Sequence, residues 1–307
     1  MRILVTGGCG FIGSHLVERL VKDRNKVFIV DNFTTNAIDE DYFDRNEVQV
    51  SPNDVRDYYG LSEVFNRFKP EHVVHLAAMS RIQPSIDDPR TCHDINVGGT
   101  LNVLECSRRF GVKKIVFSSS SSVYGDMPIP NNEKSDVDFK NPYSCSKFIG
   151  ESYFKLYHGL YGLESVILRF FNVYGPRQPV SGAYATVIGI FLNQMLQKES
   201  LTVVGDGDQR RDFTFVLDVV EAVVKSIKSP FGSAEILNIG SGVNHSVNQV
   251  ADMIGGERTY LPERLGEARE TLADITRARE LLEWEPKTNL VDGVEFCSRE
   301  MKEGSNE

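Results

Sequence analysis

The chain has 307 residues, 41% of them hydrophobic and 25% charged, enough to bury one large core or two lobes that share one. A net charge of -9 excludes general attraction to nucleic acid or an anionic membrane, and no apolar run approaches the ~18 residues a membrane span needs. Five scattered cysteines without a Cys-x-x-Cys pair, and six histidines without metal-ligand spacing, point to a reducing compartment, the cytoplasm, and to no metal.

The apolar run at 3–5 stops at Thr6-Gly7-Gly8 with no small-residue cleavage site behind it, so it reads as a buried strand and not a leader. Gly7, Gly10 and Gly13 follow it and open a helix through His15, Leu16 and Leu20; the stretch from Gly8 also fits Gly-x-Gly-x-x-Gly. A second strand at 27–30 ends on Asp31. The spacing alone is a weak signal, but strand, glycines, helix and acid fall in the order of a dinucleotide fold. There the glycines let backbone approach a pyrophosphate, whose charge faces the helix N-terminus. A carboxylate at Asp31 accepts hydrogen bonds from the adenosine ribose and repels a 2′-phosphate, so NAD is expected over NADP.

Further β-branched runs at 48–50, 73–76, 115–118 and 166–169 alternate with amphipathic segments. Strands buried on both faces and separated by helices make a parallel sheet, giving an α/β, Rossmann-type doubly wound architecture. Beyond about residue 170 the alternation decays. We expect an NAD-binding domain over 1–170 and a smaller C-terminal substrate-binding lobe over 171–307, with segments near 212–240, including strands at 213–216 and 236–239, returning to the first. The polar tail 302–307 should fray.

Between these parts lie the residues that carry chemistry. Ser118 to Ser122 end a strand, and Tyr143 and Lys147 follow Asn141-Pro142, a helix entry in which Asn141 can cap and Pro142 takes the first turn. Four residues apart on a helix, Tyr143 and Lys147 share a face. A phenol with an ordinary pKa of ~10 is a poor base at neutral pH, and lowering it by ~3 units takes ~4 kcal/mol, about what one charge at ~4 Å supplies at an effective dielectric near 20. Lys147 is therefore expected to hold Tyr143 ready as a general base.

Thr6-Gly7-Gly8-x-Gly10-x-x-Gly13, Asp31-Asn32, Asp54-Val55-Arg56-Asp57, His75-Leu76-Ala77-Ala78, Asn96-x-x-Gly99-Thr100, Ser118-Ser119-Ser120-x-x-Val123-Tyr124-Gly125 and Tyr143-x-x-x-Lys147 together resemble the extended short-chain dehydrogenase/reductase family. More narrowly, the chain resembles nucleotide-sugar 4-epimerases, in order from Met1 to about Lys287. The resemblance implies a bound NAD with Phe11 and Ile12 beside the glycines, Asp31 and Asn32 at the ribose, and Asp54 and Val55 at the adenine. Leu76, Ala77, Ala78, Asn96, Ser118 and Phe171 would line the rest of the cofactor, with Tyr143 and Lys147 at its reactive end. Ser120 would complete the catalytic set, with Ser119 or Ser121 as alternatives.

The same resemblance bears on the reaction. Sugar 4,6-dehydratases carry Asp-Glu after that serine and uronate decarboxylases keep the Glu, whereas this chain has Ser121-Ser122, which favours epimerisation at C4 through a 4-keto sugar. Ser80, Asn172, Thr186, Arg211 and Arg264 match positions on the substrate side, where the arginine fork suits a diphosphate. Thr271, three residues before the Asp of Ala273-Asp274-Ile275-Thr276, would stand beside the sugar C2 group, and a small residue there leaves room for N-acetyl. A UDP-sugar is the implied substrate, UDP-GlcNAc and UDP-GalNAc first, then UDP-Glc and UDP-Gal. Arg177-Gln178 and the 182–185 segment fit that branch, but Ser80-Arg81 departs from it, and Arg81 could narrow the pocket or meet a uronate carboxylate. The rival readings are a UDP-uronate 4-epimerase, a dehydratase, decarboxylase or reductase, and a non-catalytic NAD sensor. Family members usually pair through the helix after Asn96 and the one bearing Tyr143, which implies a homodimer.

Overall fold

The structure, a computed structural model, describes residues 1–304. The chain runs β1 (Arg2–Thr6), α1 (Phe11–Lys22), β2 (Lys26–Val30), β3 (Val48–Ser51), α2 (Tyr58–Phe68), β4 (His72–His75), α3 (Ile82–Asp87), α4 (Pro89–His93), α5 (Gly99–Arg109), β5 (Lys114–Ser120), α6 (Pro142–Tyr161) and β6 (Glu164–Phe170). It continues through β7 (Val173–Tyr174), α7 (Val187–Gln197), β8 (Leu201–Val204), β9 (Arg210–Asp212), β10 (Thr214–Phe215), α8 (Val216–Lys228), β11 (Ser233–Ile239), β12 (Asn244–Ser246), α9 (Val247–Ile254), β13 (Arg258–Leu261), α10 (Thr276–Leu282) and α11 (Leu290–Gly304).

Seven strands form one parallel sheet in the order β11-β6-β5-β4-β1-β2-β3. Period-two alternation sends Ile3 and Val5 into the core on one face of β1 and Leu4 into the core on the other. Leu16, Val17 and Leu20 of α1 with Val219, Val220 and Val223 of α8 cover the first face. Leu61 and Phe65 of α2, Val103 of α5 and Phe154 of α6 cover the second. The chain steps outward from β1 to β3 and then returns to β4 beside β1, so the strand order reverses there and opens a crevice at the strands' carboxyl ends.

The third core cluster joins Tyr174, Ile188, Phe191, Val203, Phe213, Phe215 and Val250 beside that crevice. Here the strand expected over 213–216 shrinks to Thr214–Phe215, paired with Val173–Tyr174 outside the main sheet, because Phe213 and Phe215 bury their rings against Tyr174 and Val216 already opens α8. The expected strand at 236–239 is part of β11 in the main sheet. At the end of the chain, the fraying expected of 302–307 does not extend to 302–304, which close α11, and for 305–307 lies outside the described residues. Among the described residues no helix is long and apolar enough to cross a membrane.

The helix α6 begins as its sequence requires. Ser144 N donates to Asn141 Oδ1 at 2.8 Å, Asn141 N donates back to Ser144 Oγ at 3.4 Å, and Pro142 fills the first turn. Asn141 Nδ2 also donates to the Gly266 carbonyl at 2.9 Å, tying the entry of α6 to a loop that borders the crevice. Asn141→Ala should destabilise the protein by ~1–2 kcal/mol and Asn141→Asp by less, since only the second keeps the cap; the urea midpoint should move with little change of slope.

Candidate active site

The crevice is a cleft of about 620 Å³. Its cofactor half depends on backbone packed against backbone. Gly7 has φ +72°, and a Cβ there would meet Ala77 N at 2.8 Å, while a Cβ on Gly13 would collide with the Gly7 carbonyl oxygen. The end of β4 and the first turn of α1 can close on the loop only without those side chains. Gly10 caps α1 with no side-chain hydrogen bond, so the amides of the first turn keep donors for a phosphate. Phe11, Ile12, Leu76, Ala77, Ala78 and Ser118 line the same half.

At the far end, Asp31 accepts hydrogen bonds from Cys9 N and Phe33 N, both at 2.9 Å, which fix its carboxyl where β2 ends, and burial raises its pKa. Asn32 donates to Asp54 Oδ2 at 2.7 Å, and Arg56 grips Asp54 at 2.8 Å and pulls its pKa down to about 2. Val55 completes this wall. Bare helix N-terminus, buried ribose-side carboxylate and apolar walls fit a dinucleotide with a free 2′-hydroxyl.

Two expected cofactor residues lie elsewhere. Asn96 is buried behind the wall, donating to Met79 O at 3.0 Å and Ser146 Oγ at 2.9 Å and accepting from Met79 N at 2.8 Å, so it braces the loop after β4 against α6. Phe171 is wholly buried against Tyr124, and the neighbouring Phe170 lines the cleft, because consecutive side chains at a strand end point to opposite faces.

At the reactive end, α6 and β5 face each other. Lys147, 3% exposed, donates from Nζ to Ser118 O at 2.7 Å and lies over the Phe117 ring at 5.0 Å. Burial lowers its pKa to about 8. Its ammonium is 6.0 Å from the centre of the Tyr143 ring. Burial raises the phenol's pKa, and Ser120 and the charge of Arg81 pull it back. The serine run divides its labour. Ser119 donates to Glu151 Oε1 at 2.5 Å and Ser118 to His75 O at 3.1 Å, which leaves Ser120, whose Oγ accepts from Ser122 N at 3.1 Å, as the serine that favours the Tyr143 phenolate.

Ser80, Asn172, Thr186, Arg211, Arg264 and Thr271 all line the remainder. Asn172 Nδ2 donates to Thr271 Oγ1 at 3.1 Å, and Thr271 Oγ1 accepts from Asp212 N at 3.2 Å, so a small hydroxyl is pinned at this wall. Arg211 is steered by the Arg269 carbonyl at 3.1 Å and Glu267 at 3.3 Å, and burial lowers its pKa. Thr186 caps α7 and donates to Gln178 Oε1 at 2.6 Å. Sequence reasoning missed Phe170 and the clamp of Arg56 on Asp54; the repeated Phe170-Phe171 was the only signal for the first. Among the described residues no group of three or more His, Cys, Asp or Glu is placed to hold a metal ion.

The sequence profile of the NAD dependent epimerase/dehydratase family matches residues 3–240. A UDP-glucose 4-epimerase of Mycolicibacterium smegmatis is 38% identical over 96% of this chain and 96% of its own. The crystal structure of a Thermotoga maritima UDP-glucose 4-epimerase with UDP-glucose superposes with TM-score 0.94 at 35% identity, covering 99% of this chain and 100% of that one. A UDP-N-acetylglucosamine 4-epimerase from Methanobrevibacter ruminantium in complex with UDP-N-acetylmuramic acid gives 0.88 at 32% identity, over 98% and 99%. With glycine loop, ribose-side acid and Tyr143, Lys147 and Ser120 in one cleft, this chain belongs to the NAD dependent epimerase/dehydratase family.

Proposed function

We propose that the protein interconverts UDP-hexoses at C4, acting on UDP-GlcNAc and UDP-GalNAc and also on UDP-Glc and UDP-Gal. The observation that carries the reading is that Tyr143, Lys147 and Ser120 line one cleft, with the Lys147 ammonium 6.0 Å over the Tyr143 ring and the other half of the cleft shaped for NAD. Tyr143 takes the proton of the sugar 4-hydroxyl, and Ser120 orients that oxygen and passes the proton. NAD, held by the loop of Gly7, Gly10 and Gly13 and by Asp31, would supply the hydride acceptor and donor for C4. Lys147, anchored on Ser118 O, keeps a positive charge at this end of the cleft. After the 4-keto sugar turns, Tyr143 returns the proton, so no net redox change occurs and the cofactor stays bound.

Elimination or decarboxylation finds less support, since Ser121 and Ser122 follow Ser120 and the nearby Glu151 is committed to Arg169 at 2.6 Å. Room for an N-acetyl group is supported by the small, tethered Thr271. A homodimer is supported by Leu156, Leu160 and Tyr161, which leave an exposed apolar strip on α6, and gel filtration should give twice the chain mass.

Incubated with UDP-GlcNAc and no added NAD, the purified protein should form UDP-GalNAc by NMR, and Tyr143→Phe should lower kcat by ~10²-fold or more. Stoichiometric release of water or carbon dioxide, or net consumption of NADH, would move the assignment to another reaction. Thr271→Tyr should cut turnover of UDP-GlcNAc ~10-fold or more while sparing UDP-Gal, a difference of ~1.4 kcal/mol in transition-state binding, read from kcat/KM on the two sugars.

A further inference from the structure

One charged cluster outside the reacting groups fastens the substrate side of the cleft to the cofactor helix. The chain between β7 and α7 contributes Pro179, Ala183, Tyr184 and Thr186 to the cleft. It leaves β7 through Pro176 and Arg177, and Arg177 has φ +63°, a left-handed turn that a long side chain adopts only when its surroundings hold it. What holds it is α1. The guanidinium forks onto Glu18, Nη2 to Oε2 at 2.7 Å and Nη1 to Oε1 at 3.0 Å, and lies 5.7 Å over the Tyr42 ring. Tyr42 donates to Glu18 Oε1 at 2.7 Å, and it belongs to the segment between β2 and β3 whose Thr34 and Thr35 line the cleft.

His15, 7% exposed and one turn before Glu18, closes the cluster, and its neighbours fix its protonation state. Arg177 Nη2 lies 2.5 Å from His15 Nδ1, and a guanidinium can only donate, so Nδ1 must present a lone pair. The ring proton then sits on Nε2 and is given to Pro176 O at 2.9 Å. A neutral ring thus grips two consecutive residues, the carbonyl of one and the side chain of the next. A second proton would set an N–H on Nδ1 against the guanidinium. Glu18 Oε2, 3.9 Å from Nδ1, is the acceptor nearest to it, and Arg177 already holds that oxygen. Imidazolium and guanidinium therefore compete for one carboxylate.

We propose that Arg177 is a positioning residue for the sugar nucleotide, setting the 176–186 segment against the substrate through a latch onto α1 that only neutral His15 completes. This rests on the reading of the cleft as a UDP-sugar site. The groups facing the imidazole are Glu18 on its own helix, Arg177 and the Pro176 carbonyl from the segment, and the Phe11 ring at 6.2 Å. Tyr42 reaches it at one remove through Glu18, and α8, packed on the same helix, sends Glu221 to Arg19 instead, at 2.6 Å. Burial and the Arg177 charge lower the His15 pKa from its ordinary 6.5, against the opposing pull of Pro176 O and Glu18. The latch is then whole at neutral pH and opens as pH falls through that lowered value.

Hydrogen exchange of the holoenzyme reads the latch whether or not a sugar is turned over, so it fails separately from the assigned reaction. Protection of the 176–186 peptide, corrected for the intrinsic pH dependence of exchange, should fall ~10-fold in Arg177→Asn, a residue that tolerates the left-handed turn and cannot reach Glu18. The β1 and β5 peptides should keep theirs. The unsubstituted protein should show the same loss between about pH 7 and about pH 5. His15→Asn, whose side-chain oxygen replaces Nδ1 as acceptor but does not titrate, should abolish that pH dependence. A slack segment lowers the fraction of molecules ready for substrate, so Arg177→Asn should raise KM for UDP-GlcNAc ~10-fold at neutral pH with kcat and bound NAD unchanged. KM of the unsubstituted protein should climb in acid, and that of His15→Asn should stay flat. Glu18→Gln is the second variant should His15→Asn not fold, and it should slacken the segment at both pH values. Full protection in Arg177→Asn, an unmoved KM there, or an acid loss that persists in His15→Asn overturns the proposal.

Discussion

The catalytic geometry depends on one buried ion pair. Arg169 of β6 reaches Glu151 of α6 through Nε at 2.8 Å and Nη2 at 2.6 Å, with both side chains 3% exposed or less. Taking two charges out of water is expensive, and such a pair survives only when its geometry is good and its remaining lone pairs are used. The fork is bidentate and Ser119 donates to the same carboxylate at 2.5 Å, while the guanidinium lies 4.7 Å over the Tyr124 ring and leaves its Nη1 without a hydrogen-bond partner. Tyr124 donates in turn to Asn238 of β11 at 2.7 Å, so the network locks α6 to three adjacent strands of the sheet.

The spacing of α6 then fixes the rest. Tyr143, Lys147 and Glu151 recur every four residues and share the face that meets β5. Two of them hold different members of the serine run, Glu151 taking Ser119 and Lys147 the carbonyl of Ser118, while Tyr143 and Ser120 line the same cleft. A slip of one residue in either element would break both contacts together. The lock sits two turns from the reacting oxygen, where it can be dry and rigid without crowding a substrate.

What was legible in the sequence was what strand periodicity and local geometry control. All six sequence-assigned strands up to residue 170 formed, because β-branched runs flanked by turn residues have few other ways to bury both faces. The glycine loop was legible for the same reason, since only backbone close to backbone requires glycine at 7 and 13. Phe170 and Phe171 were not separable, because two identical neighbours at a strand end differ only in the face they take, which the ladder sets. Asn96 looked like a cofactor residue, yet its amide fits a gap between Met79 and Ser146, two segments 67 residues apart whose meeting no local pattern reveals. Arg81 was visible only as a departure; the carbonyl that its Nε meets belongs to Tyr184, 103 residues later.

Charge accounting narrows the chemistry further. Among the described residues three carboxylates line the cleft, and each is already engaged: Asp31 by the amides of Cys9 and Phe33, Asp54 by Arg56 and Asn32, and Glu267 by Arg211. Asp54, whose pKa the Arg56 guanidinium pulls down to about 2, is a weak proton acceptor, because accepting a proton forfeits the charge its partner stabilises. Around Ser120 and Tyr143 the cleft offers hydroxyls, and these two are the pair to which our reading gives the proton movement. A hydroxyl pair can serve an alcohol and the ketone made from it in both directions with equal ease, since the same proton leaves and returns by one route. Abstraction from carbon next to that ketone would need a stronger base than this wall leaves free. A cleft so furnished supports a reversible cycle at one carbinol and disfavours the eliminations open to relatives with unpaired acids.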